Sequence, residues 1–481
     1  MKSIMKLIMI PGLALALSMP AMSLQGDAAN AKQEPPKQET GKKQTPPPGG
    51  PPKSFSVPEK QTFSLPNGLK VTMVSYGTLP KVTVNVIVRS GSLNEGPTQV
   101  SLSDITGQLI KDGGTINRPA KQVAEEAAAM GGGIDIFSGP DNTQVYADFL
   151  SDFAPKMIAL MADVVQHPSL PESELPRIKQ DALRNLAISK SQSQPLAQER
   201  FMKTLYPDHP YGRVFPTEEM INKFTVADAQ TFYKSNYGAA RTHIYVAGKF
   251  GAAAVKKAIT DAFSGWAKGP DPLVNPPKPS TKRTLEVIDR PNAAQSTLYV
   301  GLPTIDPSNP DYIPLQVMNT LLGGSFGSRI TSNIREAKGY TYSPFGTISA
   351  RYKDAYWAEV ADVTTAVTGP SIKEILFEIE RLRKEAPSAT ELQGMKDYMA
   401  GIFVLRNSSR QGIISQLAYI DLHQLGDDYL TKYVQNVYAV TPDQVQQIAE
   451  KYLDSSKMTI VVVGDKSKIT DQLAPYQNSG Q

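Results

Sequence analysis

Four histidines and no cysteine bound the metal and nucleophile chemistry open to this chain. His167, His209, His243 and His423 lie too far apart for any two to share a helix face, so a zinc ion gripped by residues four apart has no imidazole pair to use. Without cysteine there is no thiolate ligand, thiol nucleophile or disulfide framework. Nor does any serine sit in a nucleophile elbow, which argues against a self-sufficient serine hydrolase. Gly323-Gly324-Ser325-Phe326-Gly327-Ser328 has the glycine density of a phosphate loop. It lacks the Gly-Lys-Ser/Thr ending that puts a lysine on phosphate, so nucleotide binding is rejected. What remains is Arg335-Glu336-x-Lys338-Gly339-Tyr340-x-Tyr342. A fixed guanidinium can hold a peptide carbonyl or carboxylate through forked donors, and a phenol can donate to developing oxyanion charge. On spacing alone, Arg335 would instead pair with Glu336 and Tyr342 would pack in a strand.

The elements around these residues follow from periodicity. Thr62 to Leu65, Asn67-Gly68 and Leu69 to Val74 form strand, tight turn and strand, and Val82 to Val88 alternates as a third strand. Ser101 to Ile110 places Leu102, Ile105, Leu109 and Ile110 at helical spacing. Pro119 to Met130 is a second helix stopped by Gly131-Gly132-Gly133, followed by strands at Ile134 to Phe137 and Thr143 to Phe149. Helices over Ala154 to Val165, Glu172 to Ser189 and Thr225 to Asn236, then a strand over Arg241 to Ala247, complete the first half. The order β-β-β-α-α-β-β-α-α-α-β predicts an α+β layer structure with helices on one face of a mostly antiparallel sheet.

The second half repeats that order. Thr284 to Asp289 and Ser296 to Val300 are strands, Tyr312 to Leu322 the first long helix and Ala355 to Val363 a later strand. Pro370 to Lys384 corresponds to Ala154 to Val165, and Pro387 to Leu392 corresponds to Pro171 to Leu175, each opening a long helix. The two ends match most closely, Thr225 through Gly248 against Thr441 through Gly464. Between the halves, Gly265 to Arg283 carries five prolines, as an inter-domain linker would.

Three motifs occur in order along residues 60 to 470: Leu65-Pro66-Asn67-Gly68-Leu69, His209-Pro210-Tyr211-Gly212 after Leu205-Tyr206-Pro207, and the Arg335 to Tyr342 segment. Through them the chain resembles the pitrilysin/insulinase family of zinc peptidases, in its short bacterial form and in the mitochondrial processing peptidase subunits. The resemblance implies two homologous domains, residues 59–264 and 284–474, joined by a linker at 265–283 and together forming half of a clamshell. Catalytic members carry H-x-x-E-H on the first long helix, two histidines for zinc and a glutamate to activate water. Here those three positions hold Asp104, Gly107 and Gln108. The family's third ligand, a glutamate on the helix before His209, is missing from Arg184 to Ser189. Asp104 alone is better understood as a solvated helix residue than as a cation site. The resemblance therefore implies a non-catalytic member with no metal or cofactor of its own, zinc residing in a homologous H-x-x-E-H partner within a heterodimer or larger assembly. It carries Arg335 and Tyr342 onto the pair that reaches substrate in trans, and Gly323, Gly324 and Gly327 onto a segment lining the substrate chamber. For His209 it implies packing. Unfolded peptides are the implied substrates, and the alternative is an inert scaffold or peptide-binding protein with the same fold.

Composition agrees with more than one domain: 481 residues, 40% hydrophobic and 20% charged. A net charge of +4, with no dense basic block, excludes a nucleic-acid or polybasic membrane footprint. Lys2 and Lys6 before the apolar Leu7 to Met19 form a secretory signal too short and broken to span a bilayer. Small residues at Ala21 and Ser23, and again at Ala29 and Ala31, leave two cleavage points, before Leu24 and before Lys32. Residues 32–58 form a Pro-rich, solvated tether, and residues 475–481 a tail. An exported, periplasmic protein without a transmembrane anchor is expected.

Overall fold

The structure, a computed structural model, describes residues 58–477, so the secretory signal and nearly all of the Pro-rich tether lie outside the described residues. The first half runs β1 (Lys60–Ser64), β2 (Lys70–Ser75), β3 (Lys81–Val88), α1 (Leu102–Gly113), α2 (Ala120–Ala129), β4 (Ile134–Ser138), β5 (Thr143–Leu150), α3 (Ala154–Gln166), α4 (Leu175–Ser191), α5 (Ser193–Leu205), α6 (Glu218–Lys223), α7 (Val226–Asn236), β6 (Thr242–Gly248) and α8 (Ala252–Phe263). The second runs β7 (Thr284–Asp289), β8 (Gln295–Thr304), α9 (Tyr312–Leu322), a π-helical turn (Thr331–Ala337), β9 (Phe345–Arg351), β10 (Asp354–Thr364), α10 (Thr368–Lys384), α11 (Ala389–Arg406), α12 (Arg410–His423), α13 (Tyr429–Ala439), α14 (Pro442–Tyr452), β11 (Thr459–Gly464) and α15 (Lys466–Leu473).

Local chemistry explains the corresponding elements. Gly68 adopts φ +92 in the turn between β1 and β2, a conformation costly for any residue with a Cβ. The repeated ends carry matching capping boxes: Thr225 accepts from Asp228 N and Thr441 from Gln444 N, while the side chains of Asp228 and Gln444 accept from the cap residues. Ser388 accepts from Glu391 N to open α11, whereas α4 starts later than its Glu172 prediction because Pro176 fits only the first helical turn.

The two sheets have orders β1-β2-β6-β3-β5-β4 and β7-β11-β8-β10-β9. Apart from the extra edge strand β1, they superpose in order, with β2, β6, β3, β5 and β4 answering β7, β11, β8, β10 and β9. All pairs are antiparallel except β2 with β6 and β7 with β11, so the sheets are mostly antiparallel, as expected, with one parallel pair in each. One apolar core lies between the first sheet and α1, α3, α7 and α8; another lies between the second sheet and α9, α10 and α14.

Each half's own helices pack on one face of its sheet, as expected. Each sheet also carries, on its other face, a helix from the opposite half. Ala197, Phe201, Met202 and Leu205 of α5 pack on Tyr299, Tyr356, Ala358, Val360, Val461 and Val463. Reciprocally, Ile413, Ile414 and Leu417 of α12 pack on Val74, Ile87, Tyr245 and Ala247. The central strands are accordingly buried almost end to end, β3 at every residue but its first, which hides the alternation that marks a one-sided sheet. Polar clamps tie both exchanges: Arg410 meets Asp148 at 2.8 Å, and Arg200 meets Glu286 at 2.8 Å.

Candidate functional site

Helix α1 carries Asp104, Gly107 and Gln108, the residues that the sequence resemblance sets at the zinc-motif positions. Leu102, Ile105, Leu109 and Ile110 bury one stripe and thereby turn Asp104 and Gln108 outward, into a cleft of about 500 Å³ shared with α4. The helix has no side-chain N-cap of its own. Glu95, remote from the first turn in sequence, accepts from Ser101 N at 3.1 Å, Ser103 N at 2.8 Å and Ser103 Oγ at 2.6 Å. Burial pushes the Glu95 carboxyl up to about 7 against these donors.

Within the cleft, the walls thin the hydration of Asp104 and raise its carboxyl to about 6. Because the residue is exposed and water reaches it from the mouth, a full burial penalty does not apply. Opposite lie Arg177, Asp181, Arg184 and Asn185. Asp181 is engaged by Arg177 at 3.2 Å and Arg184 at 2.8 Å. Zinc does not fit this donor set. Among the described residues no three His, Asp or Glu side chains group to hold a metal. The middle position is crowded as well: a Cβ on Gly107 would lie 2.8 Å from Ser138 Oγ, which would have to turn away, and 3.6 Å from Ile136 Cγ2 of β4. Ser138 stands where a general-base side chain would have to begin.

Arg335, Tyr342 and the glycine segment come together elsewhere, on the second half. Arg335 projects from the π-helical turn and its guanidinium lies between two rings, 4.3 Å from the centroid of Phe326 and 4.9 Å from that of Tyr342. Both rings face solvent, Phe326 at 67% and Tyr342 at 79% exposure. Tyr342 precedes β9 and packs in no strand. The expected pairing of Arg335 with Glu336 is present at 3.2 Å, alongside the ring stack. The cleft containing Asp104 includes neither Arg335 nor Tyr342 in its lining.

Two of the three glycines, Gly323 and Gly324, are constrained rather than merely permissive. Gly323 N and Gly324 N both donate to Asn319 O and end α9. A Cβ on Gly323 would meet Glu359 Oε2 at 2.2 Å, and one on Gly324 would meet Asn319 Nδ2 at 2.5 Å. Gly327 is the roomier position, with Met395 Cε 3.7 Å from where its Cβ would lie.

Two residues of this region escaped sequence reasoning. Phe326 breaks the glycine run with an aromatic that has no apolar partner in sequence, a signal of exposure by design. Glu359 interrupts the apolar strand Ala355-Tyr356-Trp357-Ala358-Glu359-Val360-Ala361. Fully buried beneath Gly323 and Gly346, neither of its oxygens has a hydrogen-bond partner, and burial raises its carboxyl well above the usual range, so it is held neutral.

His209 occupies a packing position. Nδ1 accepts from Tyr211 N at 3.2 Å, Nε2 lies 2.9 Å from Asn275 O, and the ring sits 4.5 Å from Tyr211. Those contacts require the neutral Nε2–H tautomer, and burial lowers the imidazole's pKa in the same direction.

Comparison with known proteins adds lineage to this geometry. Residues 70–216 match the family model for insulinase (peptidase family M16), and residues 223–399 match the model for the peptidase M16 inactive domain. An uncharacterized zinc protease of Bacillus subtilis is 23% identical over 391 residues, covering 81% of this chain and 94% of that protein. Another from Rickettsia felis is 27% identical over 306 residues, covering 62% and 72%. Among solved structures, a peptidase M16 inactive domain from Pseudomonas fluorescens superposes with TM-score 0.77 at 25% identity, covering 84% of this chain and 98% of that one. A Helicobacter pylori protease superposes at 0.78 and 18% identity over 85% and 100%, a likeness of fold. With both halves matched and the duplicated mixed sheets in place, the chain belongs to the peptidase M16 family of insulinase and pitrilysin.

Proposed function

We propose that this chain is the non-catalytic, substrate-side subunit of an exported, periplasmic M16 peptidase assembled with a homologous subunit that bears the intact zinc motif. The observation that carries the proposal is the contrast between the two sites. The α1 face offers Asp104 and Gln108 around a Gly107 crowded by Ser138, whereas Arg335 stacks on Phe326 and Tyr342 with Tyr342 facing solvent. The partner would supply the metal and activated water. This chain would supply a guanidinium that donates to a peptide carbonyl and a phenol that donates to charge developing on the cleaved carbonyl. Peptides would be unfolded and would gain affinity mainly by adding a strand to a sheet edge of the partner, so sequence preference is broad.

Reconstitution tests this. The chain mixed with its H-x-x-E-H partner should cleave unfolded peptides, and Arg335→Ala or Tyr342→Phe should lower kcat by about 10²-fold, the scale of losing one oxyanion donor, with zinc content constant. Full activity in both variants defeats the assigned roles. The Arg335–Glu336 ion pair favours the second reading, an inert scaffold whose arginine is already satisfied. On that reading the partner cleaves equally well with or without this chain.

A further inference from the structure

The duplicated fold gives the α1/α4 cleft a counterpart in the second half, between α9 and α11, closed further by α12, α13 and β9. This counterpart is a cavity of about 610 Å³, within the range of sites that hold a small ligand or one to two residues. Its character differs from that of the first cleft. Tyr312, Tyr398, Phe403, Tyr419 and Tyr433 furnish rings, with Phe403 and Tyr433 stacked at 4.4 Å. No aspartate or glutamate lines it, which disfavours a cationic guest despite the aromatic walls. One cation does, Arg406 at the end of α11, and among the described residues no acid pairs with it.

The polar groups sort into spent and unspent. Asn319 is committed at both ends, accepting from Trp357 Nε1 at 2.8 Å and donating to Gly346 O at 3.3 Å. Gln316 Oε1 is buried without a partner, and among the described residues the Arg406 guanidinium has no carboxylate to hold. Buried polar atoms are normally satisfied, so an unpartnered amide oxygen on the wall of a cavity also lined by an arginine without an acid partner marks groups that a guest would complete. Apolar rings, a lone cation and an open amide acceptor together describe an anionic guest with an apolar body and one N–H to give.

We propose that this cavity binds the C-terminal residue of a peptide, its large apolar or aromatic side chain among the tyrosine rings and its free carboxylate on Arg406. The geometry of the cavity stands without the peptidase reading; only the choice of a peptide over another apolar carboxylate rests on it. Such a site would hold a peptide by its end, apart from the Arg335 stack, and would favour chains ending in Phe, Leu or Tyr.

Calorimetry on the full chain tests the proposal with three probes: acetyl-Ala-Leu-Phe as the free acid, the same peptide as its C-terminal amide, and acetyl-Ala-Leu-Ser as the free acid. The Phe acid should bind about ten-fold more tightly than its amide, the scale of one charge-assisted contact, and more tightly than the Ser acid. Arg406→Gln, a change at an exposed position, should abolish the acid-over-amide preference while circular dichroism stays unchanged. Equal binding of acid and amide, or no binding by the folded chain, overturns the proposal. Arg335→Ala should leave the acid preference intact. If it removes that preference, the carboxylate lies at the Arg335 stack and the assignment to the tyrosine cavity is wrong. Since none of these measurements needs the partner, failure of the heteromeric peptidase reading leaves their outcome legible.

Discussion

At the scale of single residues, the chain's chemistry is set by what each side chain is allowed to keep. Arg335 keeps a fixed orientation because two exposed rings stack on it, whereas Glu359 keeps its proton because burial without a hydrogen-bond partner disfavours the carboxylate. Glu359 makes a prediction of definite sign. Its folded pKa is raised above the unfolded value, so the folded state binds the extra proton. Stability should be fully present below the unfolded carboxyl pKa and fall as pH rises above it, by up to about 1.4 kcal/mol per pH unit until the folded pKa is reached. Glu359→Leu should flatten that slope and raise stability at pH 8 by about 1–3 kcal/mol, read from urea unfolding at several pH values. An unchanged slope would place the titration elsewhere. In the sequence, Arg335 and Tyr342 stood out through their motif, while Phe326 and Glu359 did not. An aromatic in a glycine run and an acid in a strand declare their roles only through what folds against them.

At the scale of elements, the pattern of apolar residues located most helices and strands within a few positions, and Tyr312–Leu322 and Thr284–Asp289 fall where periodicity set them. Among the helices left unassigned, α5 and α12 are the two whose apolar residues pack on the sheet of the opposite half. Neither has its apolar residues explained by its own sheet. Phe201 shows the consequence: fully buried, it packs 4.7 Å from Tyr299 and 5.4 Å from Tyr356 across the inter-half boundary. Phe201→Ala should cost about 3–5 kcal/mol, the range for a buried aromatic truncation. Because α5 belongs to one half and its sheet to the other, near- and far-ultraviolet unfolding transitions should shift together. Loss confined to an early, partial transition would show that the halves unfold independently.

At the scale of the molecule, the exchanged helices make a two-sheet body whose two clefts occupy equivalent places and carry different chemistry. The first has a charged, ion-paired lining without a metal donor set, and the second a ring-lined one. Ligands that bind only the native state raise its melting temperature by mass action. Treatment with EDTA should therefore leave the melting temperature of the isolated chain unchanged, measured by calorimetry before and after chelation. A fall on chelation would show that the native chain holds a metal and that its donor set has been misjudged.

Local patterns in the sequence determined the α+β class, the internal duplication, the absence of paired imidazoles and the Arg335 to Tyr342 motif, because periodicity, caps and ligand spacing act over a few residues. Tertiary structure alone decided that each sheet borrows a helix from the other half, that Ser138 fills the space beside Gly107, that Phe326 brackets Arg335 and that Glu359 lies unpartnered under Gly323. Each of these is a contact between segments distant in the chain, and such contacts depend on how whole surfaces pack, which no short window of residues encodes.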